Sequence, residues 1–319
     1  MEEQKLETKW KKKSVVFIMA VIATLLWGSA YPSIKVGYEM FAIADQDIGS
    51  KILFAGYRFA AAGILVWLFF LLSKKENDKL HIATSNCGKS RLKIIISWFL
   101  LGLMQTTIQY IFFYLGLANT TGAKGSIVNS SGAFFGVVLA PLFYPDDKLS
   151  IRKIIGCLVG FAGIILINLD GSSLAGFKLT GEGFILIAAL AQTLASFYSK
   201  KLVKDMDVMA VTGSQLFLGG IPLLVIGYGM GGKLVPNLTG MLLLGYMALL
   251  SSVAFTIWTQ LLKYNPASEI TFYNLFIPVF GTILSGIFLG ERIFTVINIL
   301  SIVCVCLGIV FVNKSGKSS

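Results

Sequence analysis

TGAKGSIVNSSGAFFGVVLAPLFYPDDKLSIRKIIGCLVGFAGIILIN, residues 121–168, lies without a gap over PASEITFYNLFIPVFGTILSGIFLGERIFTVINILSIVCVCLGIVFVN, residues 266–313, at a displacement of 145 positions. Asn129 meets Asn274, Phe135 and Gly136 meet Phe280 and Gly281, and Asp146 meets Glu291. Gly163 meets Gly308, and Asn168 meets Asn313. A chain that matches itself at one fixed offset is built from copies of one unit. Weaker correspondences carry the copy to both starts. Lys35 follows LLWGSAYPSI as Lys200 follows LAQTLASFYS, and YRFAAAG (57–63) parallels SQLFLGG (214–220).

The unit belongs in a bilayer. Of 319 residues, 55% are hydrophobic and 13% charged, too apolar a balance for a soluble globular chain. Ten apolar runs are long enough to cross a membrane: 14–34, 52–73, 94–117, 125–144, 152–169, 183–199, 208–228, 238–262, 270–290 and 293–313. Five runs per copy is an odd number, so the second copy enters the membrane from the opposite side. The expected architecture is therefore an all-α integral membrane protein of ten transmembrane helices, arranged as two inverted five-helix repeats (5+5). The repeats cover 14–169 and 183–313, between tails at 1–13 and 314–319. Inverted repeats are a common plan of secondary transporters, with the substrate held near the midplane where the halves meet.

Charge supports the inversion independently. The net charge of +11 would suggest nucleic acid in a soluble protein, but here it follows the positive-inside rule. With the N-terminus in the cytoplasm, 20 of the 27 Lys and Arg fall on the cytoplasmic side, and only Lys51, Lys178, Lys233 and Arg292 on the other. The turn around Asp146 then lies in the cytoplasm and the equivalent LGERI turn outside, as inversion requires. Both termini are expected in the cytoplasm, in the cell membrane, and no nucleic-acid partner is expected. KWKKKSVVFIMAVIATLLWGSA imitates a signal peptide, but its run continues past Ala30 and it is expected to stay.

LLWGSAYPSIKVG (25–37), YRFAAAGIL (57–65), YLGLANTTGAKGS (114–126), LLKYNPASEIT (261–271) and IPVFGTILSGIFLGERI (277–293), in this order and duplicated, resemble the EamA family of the drug/metabolite transporter superfamily. The resemblance covers nearly the whole chain. It implies a carrier, and an exporter, of small organic metabolites, with amino acids as the leading class. The first copy departs from the pattern. YPDDKL stands where the family has a Gly-Glu-Arg turn, and Ala133 stands where the second copy keeps Pro278, which argues against equal roles for the halves.

The residues expected to bind substrate are polar or aromatic groups that lipid would not tolerate. Gln105 and Gln109 lie four apart on one face of the third span, beside Tyr110, and two amides on one face need a wet or polar neighbour. Asn129 and its repeat partner Asn274 are costly to hide, whereas Ser126 and Ser131 suit close helix packing. Trp27 and Tyr31 in the first span, Gln192 in the sixth and Trp258 in the eighth complete the set, with Pro32 expected to interrupt the backbone hydrogen bonding of the first helix, exposing carbonyls or loosening a turn.

Arg58 is the most informative charge, lying about 10 Å inside the membrane at 1.5 Å per residue. It either snorkels to the headgroups or, with Lys35 and Lys124, attracts a carboxylate. No Asp or Glu falls well inside a span, so no proton relay is evident, and facilitated diffusion or exchange stands beside proton antiport.

Sugar-phosphate or nucleotide-sugar carriage would ask for several deep cations, and organic-cation export for an aromatic cage with a carboxylate. A membrane enzyme would gather titratable groups at one depth, yet the sole histidine, His81, lies in a loop. The four cysteines have no metal or redox spacing, so neither metal nor cofactor is expected. The expected partners are a small-molecule substrate and the lipid bilayer. Scaffolding, and monomer against homodimer, stay open at this point.

Overall fold

The computed structural model describes residues 2–73, 90–119, 128–167, 178–289 and 296–313. Lys124, Ser126, Asn168, His81, Cys87, the LGERI turn beyond Leu289 and the tail at 314–319 lie outside them, as does the side chain of Tyr31.

Every described element is helical. A short helix α1 (Glu2–Lys11) leads into α2 (Lys13–Met40) and α3 (Ile48–Ser73). The rod α4 runs through Arg91–Gly102, a π turn at Leu103–Ile108, and Gln109–Ala118. Next come α5 (Ser131–Phe143), α6 (Ile151–Ile167), and α7, a π turn at Leu179–Gly183 continued by Phe184–Leu202. α7 opens the second part, which continues with α8 (Val208–Gly229), α9 (Leu238–Tyr264), the single-turn α10 (Ala267–Phe272), α11 (Phe276–Leu289) and α12 (Val296–Asn313).

Six of these rods are long and apolar enough to cross a membrane: α2, α3, α4, α7, α8 and α9. The apolar helices α5, α6, α11 and α12 are shorter over the described residues, 13 to 18 residues each. Polar side chains start several helices. Asp207 accepts from the Met209 and Ala210 amides at 2.8 and 3.2 Å, and Asn237 accepts from the Gly240 amide at 2.7 Å.

α2 carries Pro32 inside it and continues to Met40. Proline removes one donor, and the hydroxyls of Ser29 and Ser33 donate to the Leu26 and Ser29 carbonyls at 2.8 and 2.9 Å in the same turns.

Packing pairs each helix of the first part with one of the second. α3 lies along α8, and α6 along α12. α2 packs on α9 and α11, and α7 packs reciprocally on α4 and α5. Glycine sets the closest of these contacts. A Cβ on Gly63 would stand 2.4 Å from the Phe217 amide nitrogen, and one on Gly220 would stand 2.6 Å from that of Ala60. With no hydrophobic drive between helices in lipid, backbones that touch supply the dispersion energy of association.

The end of the molecule away from the lysine clusters is tied by neutral and single-charge bonds. Asp47 accepts from the Ser50 amide at 2.8 Å and from its hydroxyl at 2.6 Å, and that hydroxyl accepts from the Lys233 amide at 2.8 Å. The Ser50 bonds hold the Asp47 carboxyl below the usual carboxylate range. Their contribution is present at neutral pH and is lost as pH falls through the lowered value.

Gly63→Leu places a side chain where Phe217 backbone now sits. It should destabilise the purified protein by about 3 kcal/mol, read as a lowered thermal midpoint, whereas Gly245→Leu, whose Cβ position meets nothing within 4 Å, should leave the midpoint near the parent's.

Candidate substrate site

The site begins on α9. Ser251, Phe255 and Trp258 are spaced four and three residues apart, so a single face of the helix carries all three. α2 brings Trp27 against it, with ring centroids 5.1 Å from Phe255 and 5.0 Å from Trp258, both edge to face. α3 adds Phe59, 6.2 Å from Phe255, and α4 adds Tyr110, 4.5 Å from Phe59, with Tyr114 a further 6.1 Å along. Six rings from four helices thus form one continuous wall.

Arg58 sits in that wall. It is 2% exposed, with its guanidinium carbon 5.0 Å from the centre of the Phe59 ring. Its Nε donates to Ser251 Oγ at 2.8 Å, and Ser251 in turn donates to the Met247 carbonyl at 2.9 Å. The hydroxyls of Tyr38 and Tyr114 lie within its field. No described ion pair involves it, and the Ser251 bond is its one described hydrogen bond. A buried, unpaired charge costs several kcal/mol even after relaxation. The snorkelling expected as one alternative is not what the side chain does.

The structure therefore brings together Trp27, Arg58, Tyr110 and Trp258 of the expected residues. Gln105 and Gln109 are buried nearby in sequence but make no described bond to this group, and each leaves its amide oxygen buried and unpaired. Gln105 lies in the π turn of α4, whose neighbour Thr107 donates to the Gly219 carbonyl at 2.8 Å. Asn274, in the 3-10 turn Tyr273–Leu275, is also left with an unpaired buried oxygen. Asn129 and Gln192 are half-buried. Orphaned acceptors and the unpaired indole nitrogen of Trp27 call for water or a ligand, because buried polar groups are otherwise satisfied.

Phe59, Tyr114 and Phe255 escaped the sequence reading. An aromatic within an apolar run carries no local mark separating a binding wall from ordinary packing, and only the spacing from Trp258 back to Ser251 hinted at a shared face. Among the described residues no cluster of His, Cys, Asp and Glu could hold a metal ion.

A multi-pass helical chain with a buried cation in an aromatic wall matches one family model twice, over residues 14–169 and 179–314: the EamA-like transporter family. The chain belongs to that family. It is 28% identical over 298 residues to the uncharacterised inner membrane transporter YedA of Escherichia coli K12, covering 91% of this chain and 87% of that one. It is 27% identical over 310 residues to the uncharacterised transporter YoaV of Bacillus subtilis 168, covering 93% and 96%. A solved crystal structure superposes with a TM-score of 0.75 at 14% identity, over 96% of this chain and 100% of the other, a likeness of fold. The EamA-like chain is thus a multi-pass membrane transporter.

Ser251→Ala removes the one described hydrogen bond to the Arg58 guanidinium. Bonds to charged groups are worth about 1.5–3 kcal/mol, so substrate affinity should fall about tenfold or more, measured as the half-saturating concentration in proteoliposomes.

Proposed function

We propose that the protein exports small organic metabolites that carry a carboxylate, amino acids above all, by alternating access around the Arg58 site. Two inverted five-helix halves, 14–169 and 183–313, rock about this site. Both termini and the lysine-rich end face the cytoplasm, and the membrane is the plasma membrane. The reciprocal packing, α2 on α9 and α11 as α7 on α4 and α5, supports the inverted arrangement.

The observation that carries the reading is the Arg58 guanidinium, buried without an acidic partner among the described residues and facing aromatic groups. A carboxylate supplies the missing charge and takes planar bonds that a lysine would not match. The aromatic faces of Trp27, Tyr110 and Trp258 accept the ammonium or an apolar side chain. The unpaired oxygens of Gln105, Gln109 and Asn274 serve the path, with Asn129, Gln192 and Tyr31 assigned to its lining.

Sugar phosphates fit less well, since a divalent anion would face one deep cation in this wall. Organic cations would meet Arg58 without a compensating carboxylate.

Purified protein should be stabilised against heat by amino acids, because a ligand that binds only the folded state adds stability by mass action. In proteoliposomes it should also exchange them. Arg58→Gln should abolish both effects while the protein remains folded. Stabilisation by organic cations alone, or amino-acid exchange undiminished in Arg58→Gln, would remove the carboxylate model.

A further inference from the structure

At the lysine-rich end the turn between α5 and α6 reaches across to the first turn of α10. Asp147 accepts from the Ser268 amide at 2.9 Å and from the Ser268 hydroxyl. Lys153 donates to Asp147 at 2.6 Å, to Ser268 Oγ at 2.8 Å and to the Lys148 carbonyl at 3.0 Å. Asp147 and Lys153 are each 6% exposed and Ser268 is 0% exposed. α10 has no side-chain cap from its own preceding residue, Pro266, so its first turn is capped by the other copy of the repeat.

Other bonds close the same end. Tyr144 donates to the Phe197 carbonyl at 2.6 Å. Lys200 donates to the Leu262 carbonyl at 2.8 Å and to that of Asn265, beneath the Tyr144 ring. Asn265 donates to the Trp10 carbonyl at 3.0 Å, drawing α1 onto the end of α9. Glu269, Lys13 and Lys204 stand around the cluster.

The second copy of the repeat cannot build the same contact. At the 145-residue displacement Asp147 corresponds to Arg292, Lys153 to Asn298, and Ser268 to Ala123. The YPDDKL departure from the family pattern therefore gives one end of the molecule a buried ion pair that the other end lacks the residues to copy.

We propose that Asp147, Lys153 and Ser268 are a gate: they hold the lysine-rich end closed and must part for substrate to pass that end. The proposal rests on the alternating-access reading above. A buried pair suits the role. Its mutual attraction roughly balances the desolvation of both charges, and water entering as the end opens returns that desolvation. The contact fixes the closed geometry without locking it. These are positioning residues, remote from the Arg58 wall, so they should govern which end is open and leave the wall's affinity for ligand intact.

The test is a thiol reporter. Ser196 is buried on α7, one turn inward of Lys200 on the same face. Ser196→Cys, in a background with the four native cysteines changed to alanine, is labelled in vesicles with a membrane-impermeant maleimide applied to the lysine-rich side. A mixture of the proteinogenic amino acids other than cysteine, whose thiol would consume the maleimide, is the substrate probe. Asp147→Asn with Lys153→Gln removes the pair without stranding a charge, and should speed labelling about tenfold, a shift of the order that a lost gate contact produces. Ser268→Ala, which keeps both charges, should give a smaller acceleration. Heat stabilisation by the amino acids should persist in both variants.

Labelling that responds to the amino acids but is unchanged in both variants overturns the gate and leaves alternating access standing. Labelling that ignores the amino acids in every protein overturns alternating access and the gate with it. Faster labelling accompanied by loss of ligand stabilisation is unfolding, and overturns the gate as well.

Discussion

Backbone contact between α3 and α8 is the constraint on which the rest depends. Lipid offers helices no hydrophobic reward for associating, so the halves are held by surfaces that fit at atomic range. Gly56, Gly63, Gly220 and Gly227 remove the side chains that would keep these two rods apart. Drawn against α8, α3 is fixed in rotation, and the rotation decides where Arg58 points. A guanidinium on the opposite face would sit in hydrocarbon. On this face it meets Ser251 and the rings of Phe59 and Tyr110.

The aromatic wall answers the same constraint in another way. Trp27, Phe255 and Trp258 meet edge to face, an arrangement that satisfies the ring quadrupoles and holds the side chains without hydrogen bonds. Rigid rings around a charge with a single described anchor make a preorganised group of side chains. The lysine-rich end is built differently, from a buried lysine–aspartate pair and lysine bonds to backbone carbonyls.

Much of this was legible in the sequence. The ten apolar runs each contain a helix among the described residues, because a span must satisfy its own backbone and only a helix does so within one segment. Arg58 stood out because a charge amid FAGYRFAAAG has no cheap explanation. The rest depended on contacts between distant segments. Nothing near Asp147 or Lys153 in the chain points to Ser268, 121 residues beyond Asp147. Phe59 and Phe255 were invisible because phenylalanine in a membrane run is ordinary.

The π turn at Leu103–Ile108 has its own consequence. Such a turn amounts to one residue more than an α-helix needs, and each residue turns a helix by about 100°. Everything after it in α4, including Tyr110 and Tyr114, therefore faces where it does by virtue of a single inserted position. A one-codon deletion there would leave the composition of the span almost untouched and yet swing both tyrosines out of the wall. In this fold the set of rings around Arg58 can be rewritten by a change of length as readily as by a change of residue.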